Sequence, residues 1–358
     1  MSTPAESPVL FEEIPAGPAR IGVATLNRPA QVNALTLDMC SLMLERLRAW
    51  QSDEGIVAVV LRGAGDKGFC AGGDVAQVVR EVRAGGPRRY VYGDAFFTVE
   101  YDLDLLIHTF GKPVVSLAHG VTMGGGVGLA VGASHRVVFR NLRMAMPEIH
   151  IGLFPDVGGG WFLNRTPPGV GLLMALTGLL VGEADALFAN LADYCLASED
   201  RAGLLDRLAS LAWTGDGRRD AGMLDTFLAS VALSCGPSAV AARAQDIQAL
   251  SRLPDAGAYS QALLARADRD DWWSAPARSL AQGSPTAATV TWEYMRRSRL
   301  LSIGQTLELD LVLAKACQRG HDFPEGVRAL LIDKDRSPNW SSSSFDAVDP
   351  DVVARHFR

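Results

Sequence analysis

Short apolar runs and amphipathic stretches alternate along the first half of the chain. Residues 21–26 and 56–61 are runs of β-branched and other apolar side chains, which predict buried strands. Between them, apolar side chains recur near helical spacing and predict a helix that starts after Thr36: Leu37, Met39, Leu42, Leu44, Leu47 and Trp50. Short strands are also predicted at residues 114–117 and 137–139. This alternation of strand and helix predicts an α/β core.

The second half of the chain is richer in alanine and leucine, which favour helix. Three long stretches of this kind predict helices at residues 202–213, 223–233 and 239–253. We therefore divide the chain into a core of residues 1–200 and a mainly helical region of residues 201–358 that completes the fold. Residues 326–332 fit a helix and a strand equally well, so periodicity leaves that segment open.

The composition is that of a globular protein with an acidic charge balance. The chain has 358 residues, of which 48% are hydrophobic and 21% are charged, enough for a sizeable core. Forty acidic side chains outnumber 34 basic ones, so the formal net charge of −6 offers no broad positive surface for nucleic acid or anionic lipid. The sequence also lacks a run of about 20 apolar residues for a membrane span. We therefore expect neither nucleic acid nor a membrane as a partner.

The cysteines and histidines lack the spacings of disulfide frameworks and metal sites. Five cysteines are widely spread without any C-x-x-C pair, which argues against both a disulfide framework and a zinc site. The six histidines show no H-E-x-x-H or comparable spacing. We expect no bound metal and a reducing compartment. Because the first ten residues do not resemble a signal peptide, we expect a cytoplasmic location.

Two glycine-rich segments can present main-chain N–H groups to a ligand. Residues 68–74 read Gly-Phe-Cys-Ala-Gly-Gly-Asp and follow a predicted strand. In residues 120–130 a cluster of glycines precedes a segment typical of a helix N-terminus with unpaired N–H donors. Small residues let a ligand approach the backbone closely. Each segment alone fits a tight turn or a close helix contact equally well, whereas the two together favour a ligand site.

Other familiar ligand and nucleophile patterns fit less well. Residues 63–68 match G-x-G-x-x-G after a strand, but a second glycine loop follows in place of the helix that would receive a pyrophosphate. The sequence contains neither the phosphate-binding pattern G-x-x-x-x-G-K-[ST] nor the serine-hydrolase pattern G-x-S-x-G. Cys70 has no histidine at an informative spacing, which disfavours a thiol nucleophile.

Carboxylates in apolar surroundings are the candidates for proton transfer. Glu148 and Asp156 lie eight residues apart in a segment rich in apolar residues, prolines and glycines. Poor solvation raises the pKa of a carboxyl group, and two such groups in one pocket can take different protonation states. Helix capping by both acids is the competing interpretation. Glu100, in an aromatic-rich stretch, fits a solvated edge and a pocket equally well, and we interpret His119 and His150 as structural.

Together these motifs resemble the crotonase, or enoyl-CoA hydratase/isomerase, superfamily. The resemblance covers about residues 21–340, is loose over residues 200–280, and departs at Asn190, where the family usually has a glycine in a turn. It is closest to the hydrolases of 3-hydroxyisobutyryl-CoA, on residues 100–101, 120–128, 145–148, 151–160, 176–178, 319–323, 325–329 and 331–335. The resemblance implies a crotonase-like spiral of repeated ββα units that binds coenzyme A thioesters, with a helical C-terminal region. It also implies a homo-oligomer, a trimer or its multiple.

The resemblance further implies roles for individual residues. Those that match are the two oxyanion-binding amides, the two acids and a residue at the acyl end of the pocket: Gly73, Gly125, Glu148, Asp156 and Glu100. Gly128 stands where hydratases of the superfamily carry a second catalytic glutamate. We therefore expect a hydrolase of a short branched 3-hydroxyacyl-CoA thioester, as in valine breakdown, with no cofactor besides the CoA of its substrate. An enoyl-CoA hydratase or isomerase and a non-catalytic acyl-CoA-binding subunit are the alternatives.

Overall fold

A computed structural model of the chain describes residues 7–268 and 270–358, with strands in the first part and helices throughout. The strands are β1 (Val9–Ala16), β2 (Ala19–Leu26), β3 (Ile56–Gly63), β4 (Gly68–Cys70), β5 (Val114–Ala118), β6 (Val121–Met123), β7 (His135–Phe139), β8 (Arg143–Ala145) and β9 (Tyr194–Leu196). The α-helices are α1 (Leu37–Ser52), α2 (Val75–Ala84), α3 (Val91–His108), α4 (Gly125–Gly132), α5 (Gly159–Leu163), α6 (Val170–Thr177), α7 (Glu183–Phe188), α8 (Leu204–Ala209), α9 (Gly217–Val231), α10 (Ala244–Leu250), α11 (Ala256–Ala267), α12 (Ser274–Gln282), α13 (Pro285–Ser298), α14 (Ile303–Arg319), α15 (Asp322–Val327) and α16 (Pro350–His356).

Two sheets form the framework of the fold. The larger sheet has the strand order β1-β2-β3-β5-β7-β9, with an antiparallel β1–β2 pair and parallel pairing elsewhere. Its central strands β3 and β5 are buried along most of their length, as expected for a parallel sheet covered on both faces. The smaller sheet pairs β4, β6 and β8 in parallel.

Consecutive strand pairs divide between the two sheets, which is the predicted ββα repeat. In the first unit β3 lies in the large sheet, β4 lies in the small sheet and α2 follows; β5, β6 and α4 repeat this order. In the third unit β7 and β8 are followed by a 3-10 turn, Glu148–Ile151. Because β4, β6 and β8 are parallel neighbours, the segments after them meet at one edge of the small sheet.

Several sequence-based expectations for the helices are confirmed and others need correction. Helix α1 starts after Thr36, whose hydroxyl accepts the N–H of Met39 at 3.2 Å. The helix expected at residues 202–213 is only α8, because the chain folds back beyond it and the Trp213 indole N–H donates to the Leu208 carbonyl at 2.8 Å. The open segment at residues 326–332 is helical, since α15 continues into a π-helical turn, Arg328–Ile332.

The residue that departs from the resembled pattern keeps the turn. Asn190 has a φ of 57°, in the left-handed region that asparagine tolerates better than most residues other than glycine. Its side-chain oxygen accepts a hydrogen bond from Arg136 at 3.0 Å. The turn at this position therefore does not require glycine.

The C-terminal helices pack against the core and hold one of its loops. The loop between the 3-10 turn and α5 is held at its end, where Gly158 N–H donates to Asp310 on α14 at 2.8 Å. The start of α5 is held next to it, because Gly160 N–H donates to the Tyr294 hydroxyl on α13 at 2.7 Å. All four residues are buried. These bonds fix the loop that carries Asp156. The division of the chain near residue 200 stays a prediction.

Candidate active site

The two glycine-rich segments lie in contact where β4 and β6 end. A Cβ atom built on Gly72 would lie 3.5 Å from the Gly125 nitrogen, so the backbones of the two segments touch. In the parallel bridge between Leu35 and Gly73, the hydrogen bonds of Leu35 go to the Gly72 carbonyl and the Asp74 N–H. The N–H of Gly73 therefore points away from Leu35. Gly125 is the first residue of α4, where an N–H has no partner within the helix. Within residues 7–268 and 270–358, neither amide donates a hydrogen bond.

Glu148 reaches the same place from the end of β8. Met123 of β6 pairs with Ala145 of β8, so the residues that follow each strand are neighbours. The carboxyl oxygen Oε1 of Glu148 lies 2.9 Å from the position of a Cβ on Gly124, and Gly124 has a φ of 52°. Glycine is required at this position both by the left-handed backbone and by the close approach of the carboxyl group.

Glu100 approaches from the opposite wall, on helix α3. A Cβ on Gly125 would collide with the Glu100 carboxyl oxygen Oε1, so this carboxyl group lies directly against the start of α4. Glu100 is 2% exposed, and its Oε1 finds no hydrogen-bond partner in the described part of the chain. A buried carboxyl oxygen without a partner is typical of a group that is kept for a ligand or for catalysis.

Asp156 completes the group of acids and is held by a phenol. The Tyr101 hydroxyl, also on α3, donates to the Asp156 carboxyl oxygen Oδ2 at 2.6 Å, and both residues are buried. The amide of Gly159, at the start of α5, donates to the Asp156 carbonyl at 2.7 Å. The side chain and the backbone of Asp156 are therefore both fixed.

Burial controls the charge of all three acids. It raises the pKa of Glu148 well above that of an exposed glutamate, and the negative charge of Asp156 raises it further. The pKa of Glu100 is raised in the same way, by burial first and by Asp156 second. Burial raises the pKa of Asp156 to about 6, and the hydrogen bond from Tyr101 opposes the rise. Asp156 is thus the acid held closest to ionisation near neutral pH.

These residues line one cavity of about 840 Å³. It brings together every residue singled out from the sequence as catalytic or substrate-binding: Gly73, Glu100, Gly125, Glu148 and Asp156. The cavity is large enough for a small-molecule site. Helix capping, the competing interpretation of the two acids, does not describe them. The N-cap residue is Pro147 in the 3-10 turn that contains Glu148, and it is Gly158 in α5, which follows Asp156; neither helix has a side-chain cap bond.

Part of the cavity wall was not found from the sequence. A C-terminal segment supplies Gly326, Ala329, Leu330, Leu331, Arg336, Pro338 and Trp340. His150, which we interpreted as lying outside the site, also lines the cavity; its Nε2 lies 2.9 Å from the Ser279 hydroxyl, and burial lowers its pKa. Two signals in the sequence covered the C-terminal wall, the ambiguous periodicity of residues 326–332 and the family resemblance of residues 325–329 and 331–335, and neither placed it at the cavity.

The structure also agrees with the sequence on the ligand and nucleophile patterns that fit less well. Residues 64–67 form the connection between β3 and β4, so no helix follows the G-x-G-x-x-G pattern. The Cys70 thiol is fully buried, and burial raises its pKa to about 12, which disfavours a thiolate nucleophile. Across residues 7–268 and 270–358, His, Cys, Asp and Glu nowhere cluster in a set of three suited to a metal ion. None of the described helices is both long and apolar enough to cross a bilayer.

Position 128 has no space for a side chain. A Cβ on Gly128 would lie 2.7 Å from Cβ of Val157 and 3.2 Å from a carboxyl oxygen of Asp104. Contacts this short require the neighbouring atoms to move. The absence of a glutamate at position 128 is therefore built into the packing of α4 against the Asp156 loop.

Comparison with known proteins places this arrangement in a family. The sequence model described as enoyl-CoA hydratase/isomerase matches residues 21–357. The chain belongs to the enoyl-CoA hydratase/isomerase family. Its fold is that of the crotonase superfamily: a solved structure described as a carnitinyl-CoA dehydratase from Mycobacterium thermoresistibile superposes with a TM-score of 0.87 at 34% identity, covering 99% of this chain and 97% of that one.

Curated relatives within this family carry one name. The chain is 37% identical over 358 residues to "3-hydroxyisobutyryl-CoA hydrolase, mitochondrial" of Danio rerio, with 100% of this chain and 91% of that protein covered. It is 34% identical over 338 residues to the protein of the same name in Homo sapiens, with 94% and 86% covered. The resemblance to these hydrolases drawn from the sequence is confirmed.

The expected cytoplasmic location is wrong on this comparison, because both vertebrate relatives are named mitochondrial. The expectation rested partly on cysteines that are unpaired in the described residues. Reduced thiols distinguish a reducing compartment from an oxidising one and do not separate one reducing compartment from another.

Proposed function

We propose that this enzyme of the enoyl-CoA hydratase/isomerase family hydrolyses 3-hydroxyisobutyryl-CoA to 3-hydroxyisobutyrate and CoA. The observation that carries the proposal is the convergence of Glu148 and the amides of Gly73 and Gly125 inside one cavity, where neither amide has a partner among the described residues. Two N–H donors and a buried carboxyl group are the groups that thioester cleavage requires. The names of the vertebrate relatives support this substrate.

The amides of Gly73 and Gly125 hold the thioester oxygen as negative charge gathers on it. Each preorganised donor of an oxyanion hole contributes about 10²–10³ in rate in other enzymes. Because neither amide has a partner within the described residues, the substrate can bind without breaking a hydrogen bond between protein groups. The burial of the neighbouring Glu100 and Glu148 strengthens this electrostatic effect, since little water screens the charge there.

Glu148 activates the attack on the thioester carbon. As a general base it takes a proton from water, the resulting hydroxide adds to the carbon, and the tetrahedral intermediate expels the CoA thiolate. As a nucleophile it forms a mixed anhydride and releases the thiolate first, and water then cleaves the anhydride. Burial, which raises the pKa of Glu148, makes its ionised form a stronger base in both routes.

Asp156 and Glu100 organise the substrate around Glu148. Asp156 is fixed by Tyr101. It either accepts a hydrogen bond from the 3-hydroxyl of the acyl group or relays a proton to the departing thiolate. Glu100 lines the acyl end of the cavity beside Gly125. The reaction consumes water alone and needs no cofactor besides the CoA of the substrate. We also infer a trimer or its multiple, which sedimentation of the purified protein tests.

The second candidate is a hydratase or dehydratase. It is favoured by the description of the similar solved structure as a carnitinyl-CoA dehydratase. Packing at Gly128 weighs against it, because a second glutamate cannot be accommodated beside Val157. Thiol release from 3-hydroxyisobutyryl-CoA, compared with loss of the enoyl absorbance of crotonyl-CoA, separates the two. We expect thiol release to dominate; enoyl loss without thiol release would assign the chain to the lyases.

Two further results complete the test. Tight binding of acyl-CoA with no thiol release from any short ester would show a non-catalytic subunit. Hydroxylamine added during turnover distinguishes the two routes of Glu148, because it converts an anhydride into a hydroxamate on that residue. Peptide mass analysis that finds Glu148 unmodified would leave the general-base route.

A further inference from the structure

A second cavity of about 210 Å³ lies behind the wall of the first. Its lining is largely apolar and includes Phe154, Ala287, Val290 and Phe323. The two cavities are close neighbours, since the ring of Phe97 in the first wall lies 6.3 Å, centroid to centroid, from the ring of Phe323 in the second. A volume several times the ~30 Å³ of one water molecule has room for a few methylene groups.

Leu153 is the partition between the two cavities. Of the residues that the structure describes, it alone lines both. It is 3% exposed and lies in the segment that connects the two acids, with its N–H donating to the Glu148 carbonyl at 3.0 Å. The partition therefore lies beside the reacting groups, not at the mouth that Arg336 and Trp340 line.

The backbone around Leu153 allows it little freedom. Gly152 has a φ of 70°, and a Cβ at that position would collide with the backbone carbonyl of Asp322. Asp322 is itself held, since its carboxyl group accepts hydrogen bonds from the Ser284 hydroxyl at 2.5 Å and the Ser341 N–H at 2.8 Å. The backbone at Leu153 is thus fixed by the packing of α15 against this turn.

We propose that Leu153 determines the length of acyl chain that the enzyme accepts. With leucine in place, the first cavity ends beside Glu148 and Asp156, and only a short acyl group fits there. Removing the leucine side chain joins the two cavities and creates an apolar channel for a longer chain. The polar groups of Asp322 are already bonded, so they do not compete for the ligand. This inference rests on the proposed action on acyl-CoA esters and extends it to the choice among them.

Leu153→Ala tests the proposal on a series of straight-chain 3-hydroxyacyl-CoA esters of increasing length. For each ester, thiol release gives kcat/KM, and the matching non-cleavable CoA thioether gives the dissociation constant. We expect the ratio of kcat/KM for the longest to the shortest ester to rise at least about tenfold over the unmodified enzyme, since misfit of a methylene in an apolar pocket costs 10–200-fold. Leu153→Val, which removes one methylene, gives an intermediate ratio and serves if the alanine variant does not fold.

Two control variants make the result specific. Leu264→Ala removes the same atoms from an exposed position on α11 that lines neither cavity, and leaves the ratio unchanged. Adding Ala287→Leu to Leu153→Ala fills the second cavity and returns the ratio to its original value. A folded Leu153 variant with an unchanged ratio, or a gain that Ala287→Leu does not reverse, overturns the proposal. Absence of thiol release from every ester in the unmodified enzyme counts against the hydrolase, and the thioether affinities then still test the partition.

Discussion

The phenol of Tyr101 donates a hydrogen bond of 2.6 Å to the carboxyl group of Asp156, and both groups are buried. The bond has two effects on Asp156. It holds the Asp156 carboxylate in place, and it lowers the pKa of Asp156 against the rise caused by burial. The outcome is a carboxyl group with a pKa of about 6, which ionises just below neutral pH. Tyr101 is therefore a positioning residue that also sets the charge of the site.

Tyr101→Phe moves the acidic limb of the pH–affinity profile of a non-cleavable 3-hydroxyacyl-CoA thioether to higher pH. In the proposed mechanism the ionised form of Asp156 accepts a hydrogen bond from the substrate hydroxyl, so affinity is lost as the pH falls through the pKa of Asp156. Binding is the property to follow, because the pH dependence of kcat/KM also contains the ionisation of Glu148, whose pKa is raised too. Without the phenol hydroxyl, the pKa of Asp156 rises further. A hydrogen bond to a charged group contributes about 1.5–3 kcal/mol, which corresponds to a rise of about one pH unit or more in the limb. The measurement is the dissociation constant of the thioether from pH 5 to 9.

Tyr259→Phe is the matched control for this change. Tyr259 is fully buried on α11, and its hydroxyl has no hydrogen-bond partner in the described part of the chain. Removal of this hydroxyl leaves the acidic limb in place. Equal profiles for both variants and the unmodified enzyme would show that Tyr101 does not control Asp156.

Glu148→Gln abolishes turnover and leaves acyl-CoA binding largely intact. The amide keeps the shape of the side chain and cannot accept a proton or attack the thioester. We expect kcat to fall by a factor of about 10²–10⁴ or more, since 10²–10⁴ is the typical contribution of a general base. Thiol release and titration with a non-cleavable CoA thioether measure the two properties separately. Glu45→Gln, on the exposed face of α1, retains full activity. Comparable turnover in the two variants would remove Glu148 from the mechanism.

The same substitution stabilises the folded protein at alkaline pH. In the folded state burial raises the pKa of Glu148 above its ordinary value of 4.5, so stability is lost as the pH rises above 4.5 and the buried group resists ionisation. Glutamine carries no such cost. We expect the free energy of unfolding of Glu148→Gln to exceed that of the unmodified protein by about 1–2 kcal/mol at pH 8, and the difference to vanish near pH 4. Urea unfolding at both values provides the comparison; a less stable variant at pH 8 would contradict it.

The core of the fold was predictable because its elements are long or strongly patterned. Strands β2 and β3 and helix α1 each show the apolar pattern of their type. Strand β1 was missed, since it is an edge strand whose inner positions are exposed or half-buried and include two adjacent glutamates. Strands β4, β6 and β8 have three residues each, too few for a periodicity, and their partners in the small sheet define them.

The residues of the site also fall into those that a local sequence signal could indicate and those that only the folded chain brings to the cavity. Glycine clusters and acids in apolar segments are local signals, and the family resemblance selected Gly125 and Glu148 among them. Trp340 and Arg336 line the cavity from almost 200 residues further along the chain, through packing of α15 that no local pattern encodes. The partner of Asp156 was equally hidden, since a tyrosine on an aromatic helix reads as core until the fold brings α3 to the acid.

Gly125→Ala lowers the rate of the chemical step by crowding the oxyanion site. The alanine Cβ would collide with the carboxyl group of Glu100, so the carboxyl group or the start of α4 must shift. The variant keeps its N–H, so kcat falls because the thioester oxygen is displaced from that donor. We expect a fall of up to about 10²–10³, the value for complete loss of one donor, with unchanged helix content. Gly304→Ala on α14 is the control, because its Cβ meets no atom within 4 Å and alanine favours helix. Single-turnover kinetics and circular dichroism of the two variants give the answer: an equal chemical rate in both would mean that the space beside Gly125 is not part of the oxyanion site.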